Sequence, residues 1–400
     1  MIQLSMTSKL PITQQHITDA VSGVLQQHPL LRTILLRTGN VISIVEPTQT
    51  SIPLEFMKIR EFRCEFNACA LENEMWRMVA LKSHDEESLE LTIMLAHQPV
   101  VADFIYTRQI IRDIANNILF AQMGKYWSSN MVSILSDPIE KMIEHVPINR
   151  VSPYVDLVGS STKDVIMAHD AFVLSEIRRG RLNLSSNPSK RLVWKLNKNL
   201  SKVIDTSFKS KNGTILAVCA KSFMRLISDT VSASDVVEMP ITFMVNLRRF
   251  IDTTTDLNRN GCVESELYLK LDKNSKIADL IFNISQNIYD QVQSGDVLRK
   301  VKEDPLSTIT RTKVDREVIA LSHVGHIDDL IDNKHYTLND VQFNINTSSD
   351  LCPLFNIITY FVRGELYFTV SYCSTIISDE TVLMFTTHVK DIMQKLSISY

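Results

Sequence analysis

The chain has 400 residues and a formal charge of −3, from 42 basic and 45 acidic side chains. Apolar residues make up 44%, enough for a sizeable core, and the length suits two domains or one two-lobed unit. The balanced charge argues against wrapping nucleic acid, the 10 glycines argue against a Gly-loop phosphate site, and no run of about 18 apolar residues offers a membrane span.

The N-terminal segment lacks the basic head, apolar stretch and cleavage site of a signal peptide. Cys64, Cys69, Cys219, Cys262, Cys352 and Cys373 form no CxxC pair. Reduced thiols in a soluble cytoplasmic protein are expected, and Asn183, Asn199, Asn212, Asn283 and Asn346 in N-x-S/T settings read as chance.

In chain order, Ile17, Val21, Val24 and Leu25 form one apolar stripe, so 13–28 reads as a helix capped by Thr13 and stopped at His28-Pro29. Leu30–Arg37 and Asn40–Glu46 read as a hairpin around Thr38-Gly39. Strands follow at Trp76–Leu81 and Leu89–Ala96, interrupted by His97-Gln98-Pro99. Phe104 to about Phe120 is helical through Ile111, Ile114 and Ile118. Asn149–Gly159 is turn-rich, 178–190 reads as a loop, and a lobe boundary is expected near 170 (1–170 and 171–400).

In the second half, Asn212-Gly213-Thr214 opens a helix to about Ile227. Pro240–Leu247 and Leu267–Leu271 read as strands and Ile277–Gln293 as a helix. Phe355–Val362 and Leu366–Tyr372 form a hairpin turning at Arg363-Gly364, before a last helix at Glu380–Leu396. The elements alternate without strict βαβ rhythm, so the expected class is α/β, with mixed sheets and flanking helices in two lobes.

The common catalytic motifs are absent: there is no GxGxxG, P-loop, HExxH or GxSxG. His323, His326 and His335 lack carboxylate or Cys ligands at a known spacing, so no metal is expected. Arg178-Arg179-Gly180-Arg181 is either a solvated basic loop or an anion contact. The informative stretch runs from Leu95 to Phe104, LAHQPVVADF, in which a strand ends in a short loop and Asp103 stands ready to cap the next helix.

That stretch resembles the HHxxxDG motif of the condensation-domain and alcohol O-acetyltransferase branch of the CoA-dependent acyltransferase superfamily. Asp103 matches the acid; Gln98 and Pro99 stand at the two histidines, and Phe104 at the glycine. Further segments resemble the family in order. They are His28-Pro29-Leu30-Leu31-Arg32 ("HPxLR"), Glu74-Met75-Trp76-Arg77 ("PLWR"), Asn212-Gly213-Thr214 ("GxT"), Val245-Asn246-Leu247-Arg248 ("VNLR") with Gly261 after it, and Ser322-His323-Val324-Gly325 ("SNxG"). The resemblance spans 1 to about 395 and begins at the family's first strand. It implies a two-lobed chloramphenicol-acetyltransferase-like fold with an interlobe channel. It also implies acyl transfer from a CoA or carrier-protein thioester to an alcohol or amine.

The family's second histidine serves as base, and its acid is architectural, pairing with an arginine of the facing lobe. By position that pair is Asp103 with Arg248. Pro99 at the base position has no titratable group. General-base catalysis contributes roughly 10²–10⁴-fold, so turnover by the family route is disfavoured.

Three readings stay open. One is an active acyltransferase with His97 as a displaced base, or His323 assisting. Another is a catalytically degenerate relative that binds an acyl-thioester (acyl-CoA or a phosphopantetheine-carried acyl group), a carrier protein or another protein partner; recruitment domains of peptide assembly lines are the family precedent. The third is an unrelated α/β protein. No tightly bound cofactor is expected under any of them.

Overall fold

A computed structural model describes every residue except 39–40, 48–51, 59–74, 83–87, 99–101, 126–138, 159–163, 181–188, 209, 251–260, 304–316, 329–333, 346–352 and 400. The elements in order are β1 (Ile2–Ile12), α1 (Gln14–Gln27), β2 (Ile34–Thr38), β3 (Val41–Val45), β4 (Leu54–Lys58), β5 (Trp76–Lys82), β6 (Ser88–His97), α2 (Phe104–Gln122) and α3 (Ile139–Met142). Next come β7 (Tyr154–Asp156), β8 (Val165–Met167), α4 (Ala168–Arg178), β9 (Ser189–Lys195), α5 (Lys198–Ser207), α6 (Lys211–Leu226), β10 (Val236–Asn246), β11 (Cys262–Leu271), α7 (Ile277–Gln293) and α8 (Arg299–Glu303). The chain ends with β12 (Ile319–His326), β13 (Tyr336–Phe343), β14 (Phe355–Val362), β15 (Glu365–Cys373) and α9 (Asp379–Ser399).

These elements form two compact units. Unit 1 takes Met1–Met142, Ile251–Gly261 and His326–Phe343; unit 2 takes Ile143–Phe250, Cys262–Gly325 and Asn344–Tyr400. The first crossing therefore falls at Met142/Ile143 rather than near 170, and the chain returns to unit 1 twice. A single cut misses those returns because β13 joins β1 by backbone pairing (Ile2 opposite Phe343), which leaves no local trace in composition.

Unit 1 holds a five-stranded sheet in the order β13-β1-β6-β5-β4. Ile2, Leu4 and Met6 alternate inward from β1, as a half-buried strand requires. The expected stripe of α1 is buried at Ile17, Val21, Val24 and Leu25. Thr13 caps it with a reciprocal box: Thr13 Oγ1 accepts from His16 N at 3.1 Å, and His16 Nδ1 accepts from Thr13 N at 3.2 Å. The stretch after His28 differs from expectation. Pro29–Arg32 is a 3-10 turn, and β2 starts only at Ile34. Proline's fixed φ suits the first position of such a turn, and the Arg32 guanidinium returns to the carbonyl of Leu25 at 2.6 Å. Trp76 Nε1 donates to Leu31 O at 2.7 Å and ties this turn to β5.

Unit 2 holds an eight-stranded sheet in the order β7-β11-β10-β12-β14-β15-β9, with β8 beside β10. β10 runs antiparallel to β11 and parallel to β12. An aromatic cluster of Phe172 (α4), Phe223 (α6), Phe355 (β14) and Phe385 (α9) lies in the core. The expected hairpin turns at Arg363 and Gly364, with φ of 51° and 75°, the left-handed pair that a two-residue turn needs.

α6 begins before the expected Asn212. Ser210 is its N-cap, and its Oγ accepts from Gly213 N at 3.1 Å. Gly213 therefore sits in the first turn, where a Cβ would meet Ser285 Oγ of α7 at 2.1 Å and Ser285 Cα at 2.9 Å. Alanine would add about 0.8–1 kcal/mol of helix propensity. Overpacking costs typically 1–3 kcal/mol and wins here, because a backbone-bound Cα cannot rotate away. Gly213→Ala should lower the unfolding free energy by about 1 kcal/mol or more in a denaturant titration. Unchanged or raised stability would show that α6 and α7 can part.

Candidate functional site

β6 carries its pairing to His97, which stands opposite Trp76 of β5, and Gln98 N then donates to Met75 O at 2.9 Å. Pro99, which the resemblance aligns with the family's base, lies outside the described residues, with Val100 and Val101. Asp103 follows as the N-cap of α2, in extended backbone with φ −87° and ψ 178°.

Both carboxylate oxygens of Asp103 accept backbone N–H groups. Oδ1 takes Tyr106 N at 2.8 Å and Oδ2 takes Gly261 N at 2.5 Å. The residue is only 8% exposed. The capping expected from sequence is therefore present, and the second bond reaches a residue far along the chain within the same unit. An anionic acceptor at a helix N-terminus is also favoured by the helix dipole.

His97 lies beside this cap, partly buried. Its Nδ1 is 3.1 Å from Gln98 O, and its Nε2 is 2.8 Å from Thr107 Oγ1. Thr107 is buried, and both its N–H and its hydroxyl lie within bonding distance of Asp103 O, at 2.8 and 2.7 Å. Removal from water pushes the His97 pKa down to about 3, helped by the positive amino group of Met1 and opposed by the bond to Gln98 O.

Arg248 and His323, also singled out by sequence, lie in unit 2. Arg248 sits in a 3-10 turn, Leu247–Phe250, after β10. Its N–H and Nη1 contact Asn246 Oδ1 at 3.0 and 3.4 Å. His323 is on β12 with Nδ1 2.9 Å from Thr359 Oγ1, and its ring meets Phe361 edge-on at 5.9 Å. Gly325 has φ +84°, which explains a glycine at that place.

His326 ends β12 and His335 directly precedes β13. Among the described residues, no three His, Cys, Asp or Glu side chains are placed to hold a metal ion. Arg178 and Arg179 bond Asp229 O and Leu226 O at 3.0 and 2.7 Å, so these two cations of the basic run serve the end of α6. No helix among the described residues is long and apolar enough to cross a membrane.

Two contributors escape sequence reasoning. Thr107 is legible only as a residue four after Asp103, one helical turn on. The Gly261 N–H donor has no local signature at all.

The sequence matches no family model, and no curated protein matches it significantly. Solved structures do match. TRI3 trichothecene 15-O-acetyltransferase from Fusarium sporotrichioides superposes with a TM-score of 0.68 at 12% identity, over 98% of this chain and 90% of that one. The epimerization domain from the third module of tyrocidine synthetase B gives 0.62 at 11%, over 99% and 91%. The X-domain from teicoplanin biosynthesis gives 0.61 at 11%, over 99% and 90%. The chain therefore has the two-lobed, mixed α/β fold shared by condensation domains and this branch of acetyltransferases. At these identities the likeness is one of fold.

Two stability predictions follow from the site. Asp103→Ala removes a cap worth about 0.5–2 kcal/mol. It also strands a buried N–H at Gly261, which costs about 1–3 kcal/mol. Asp103→Asn keeps a capping oxygen and should lose clearly less. Equal loss in the two variants, by denaturant titration, would count against the two-donor account.

For His97, the folded pKa of about 3 lies below the ordinary 6.5, so the unfolded chain takes up the proton first as pH falls. Its contribution is intact above about pH 6.5 and is lost progressively toward pH 3. His388, lowered by burial and then by Arg225, acts in the same direction. Melting curves from pH 7 to 4 should fall less steeply for His97→Gln than for wild type, and parallel curves would contradict the shift.

Proposed function

We propose that this chain is a divergent, condensation-domain-like protein of the acyltransferase superfamily, with acyl transfer lost or much reduced and a thioester- or partner-binding role retained. The observation that carries this reading is Asp103. The architectural acid is kept, with both oxygens engaged by backbone, while the aligned histidine positions hold Gln98 and Pro99. Architecture without a proton acceptor supports binding over turnover.

The competing reading makes His97 a displaced base in an active acyltransferase to an alcohol or amine. A general base works best with a pKa near the operating pH. A ring held near 3 is a poor proton acceptor at pH 7, so the competing reading is the weaker of the two.

Under the proposal, acyl-CoA or a phosphopantetheine-carried acyl group is bound as a ligand and no cofactor is tightly held. The structural neighbour named as a domain of tyrocidine synthetase B supports an acyl carrier protein, or another protein, as partner. The pairing of Asp103 with Arg248 that the resemblance implies is part of this proposal, and a double-mutant cycle on stability tests it. The thin spread of cysteines supports a cytoplasmic setting.

The decisive experiment pairs transfer with binding. Wild type and His97→Ala are assayed for CoA release from acetyl- and longer acyl-CoA, with panels of alcohols and amines. Both should stay at background. Acyl-CoA or an acylated carrier protein should raise the melting temperature, by the equivalent of about 2.7 kcal/mol at a hundredfold excess over Kd. Turnover by wild type that falls a hundredfold or more in His97→Ala would overturn the proposal.

A further inference from the structure

The protons around His97 can be assigned from the bonding partners. Gln98 O is a carbonyl oxygen and only accepts, so the Nδ1 that faces it at 3.1 Å carries the ring proton. A neutral imidazole then has a single lone pair, on Nε2, and this points at Thr107 Oγ1 at 2.8 Å. The Thr107 hydroxyl has one proton and two acceptors in reach, Nε2 and Asp103 O. Asp103 O already takes the Thr107 backbone N–H at 2.8 Å. Nε2 has no other donor among its described contacts. Leaving it opposite an oxygen lone pair would cost more than leaving the carbonyl with one bond. The hydroxyl proton therefore goes to Nε2.

We propose that Thr107 is a positioning residue that holds His97 as the Nδ1–H tautomer and occupies its only proton-accepting site. The histidine thereby bridges the end of β6 to the first turn of α2. Thr107 is 1% exposed, so no bulk water competes for that hydroxyl. A substrate hydroxyl or amine that sought the His97 lone pair would first have to displace a buried donor fixed on a helix. This explains in atomic terms why a histidine two residues from the family's base position does not inherit its task, and it rests on the reading of this chain as catalytically degenerate. The fully bonded alternative is an imidazolium, with Nε2–H donating to Thr107 and the hydroxyl turned to Asp103 O. The low proton affinity of the ring disfavours that state near neutral pH.

The test needs no thioester. Histidine-selective ¹⁵N labelling reports the tautomer of His97 in wild type, Thr107→Ser and Thr107→Val. Wild type and Thr107→Ser should show Nδ1–H with a hydrogen-bonded Nε2, unchanged from pH 8 to 5. Thr107→Val should shift the Nε2 signal toward that of an unbonded lone pair, and carbethoxylation of His97, read by peptide mass, should speed up at least tenfold.

An Nε2–H or mixed tautomer in wild type would overturn the inference without any variant. So would an Nε2 signal that does not move in Thr107→Val. The outcomes separate from those of the transfer assay. A wrong tautomer with no acyl transfer removes only the role of Thr107. The expected tautomer with a turnover independent of His97 removes only the degenerate reading.

Discussion

The carboxylate of Asp103 must satisfy two backbone N–H groups at once, and the local structure is arranged around that requirement. One donor belongs to the first turn of α2 and the other to Gly261, 158 residues downstream. Hydrogen bonds to an ionised acceptor are about twice as strong as neutral ones. A single buried side chain therefore fixes the start of a helix, the end of the loop before it and the last residue of a distant segment. His97 and Thr107 lie beside this cap, and the Asp103 main-chain carbonyl accepts the Thr107 N–H.

Seen this way, an acid in the motif can persist for reasons unrelated to chemistry on a substrate. A cap and a long-range tether are reason enough to keep an aspartate. A proton acceptor contributes roughly 10²–10⁴-fold to rate and little to architecture. The bonds of Asp103 do not depend on a proton acceptor beside it. Holding two reactants together contributes more than a base does, with effective molarities of about 10⁵–10⁸ M.

Much of the secondary structure was legible. α1, α2, α7 and α9 follow the apolar stripes at 3.6-residue spacing, and β10 and the β14–β15 hairpin follow their β-branched and aromatic runs. Caps were readable where a polar residue precedes a stripe, as at Thr13 and Asp103. The misplacements have local causes. Leu30 and Leu31 are apolar and suit a strand, yet Pro29 and the reach of Arg32 to the end of α1 make a turn. Asn212-Gly213 resembles a helix start, but Ser210 is the better-placed cap and Gly213 answers to the packing of α7. The short strands β7 and β8 carry three residues each, too few to establish a period.

By itself the sequence determined what depends on neighbours in the chain: the helix periodicities, the caps and the hairpin at Arg363-Gly364. It also carried the order of weak motifs from which a two-lobed acyltransferase-like fold could be expected. The tertiary structure alone decided which segments form unit 1, that Gly261 completes the bonding of Asp103, and that His97 meets Thr107. These contacts are made by a backbone amide and a hydroxyl brought together through packing. Every residue but proline has an amide N–H and many have a hydroxyl, so neither leaves a mark in the sequence until the fold selects its partner.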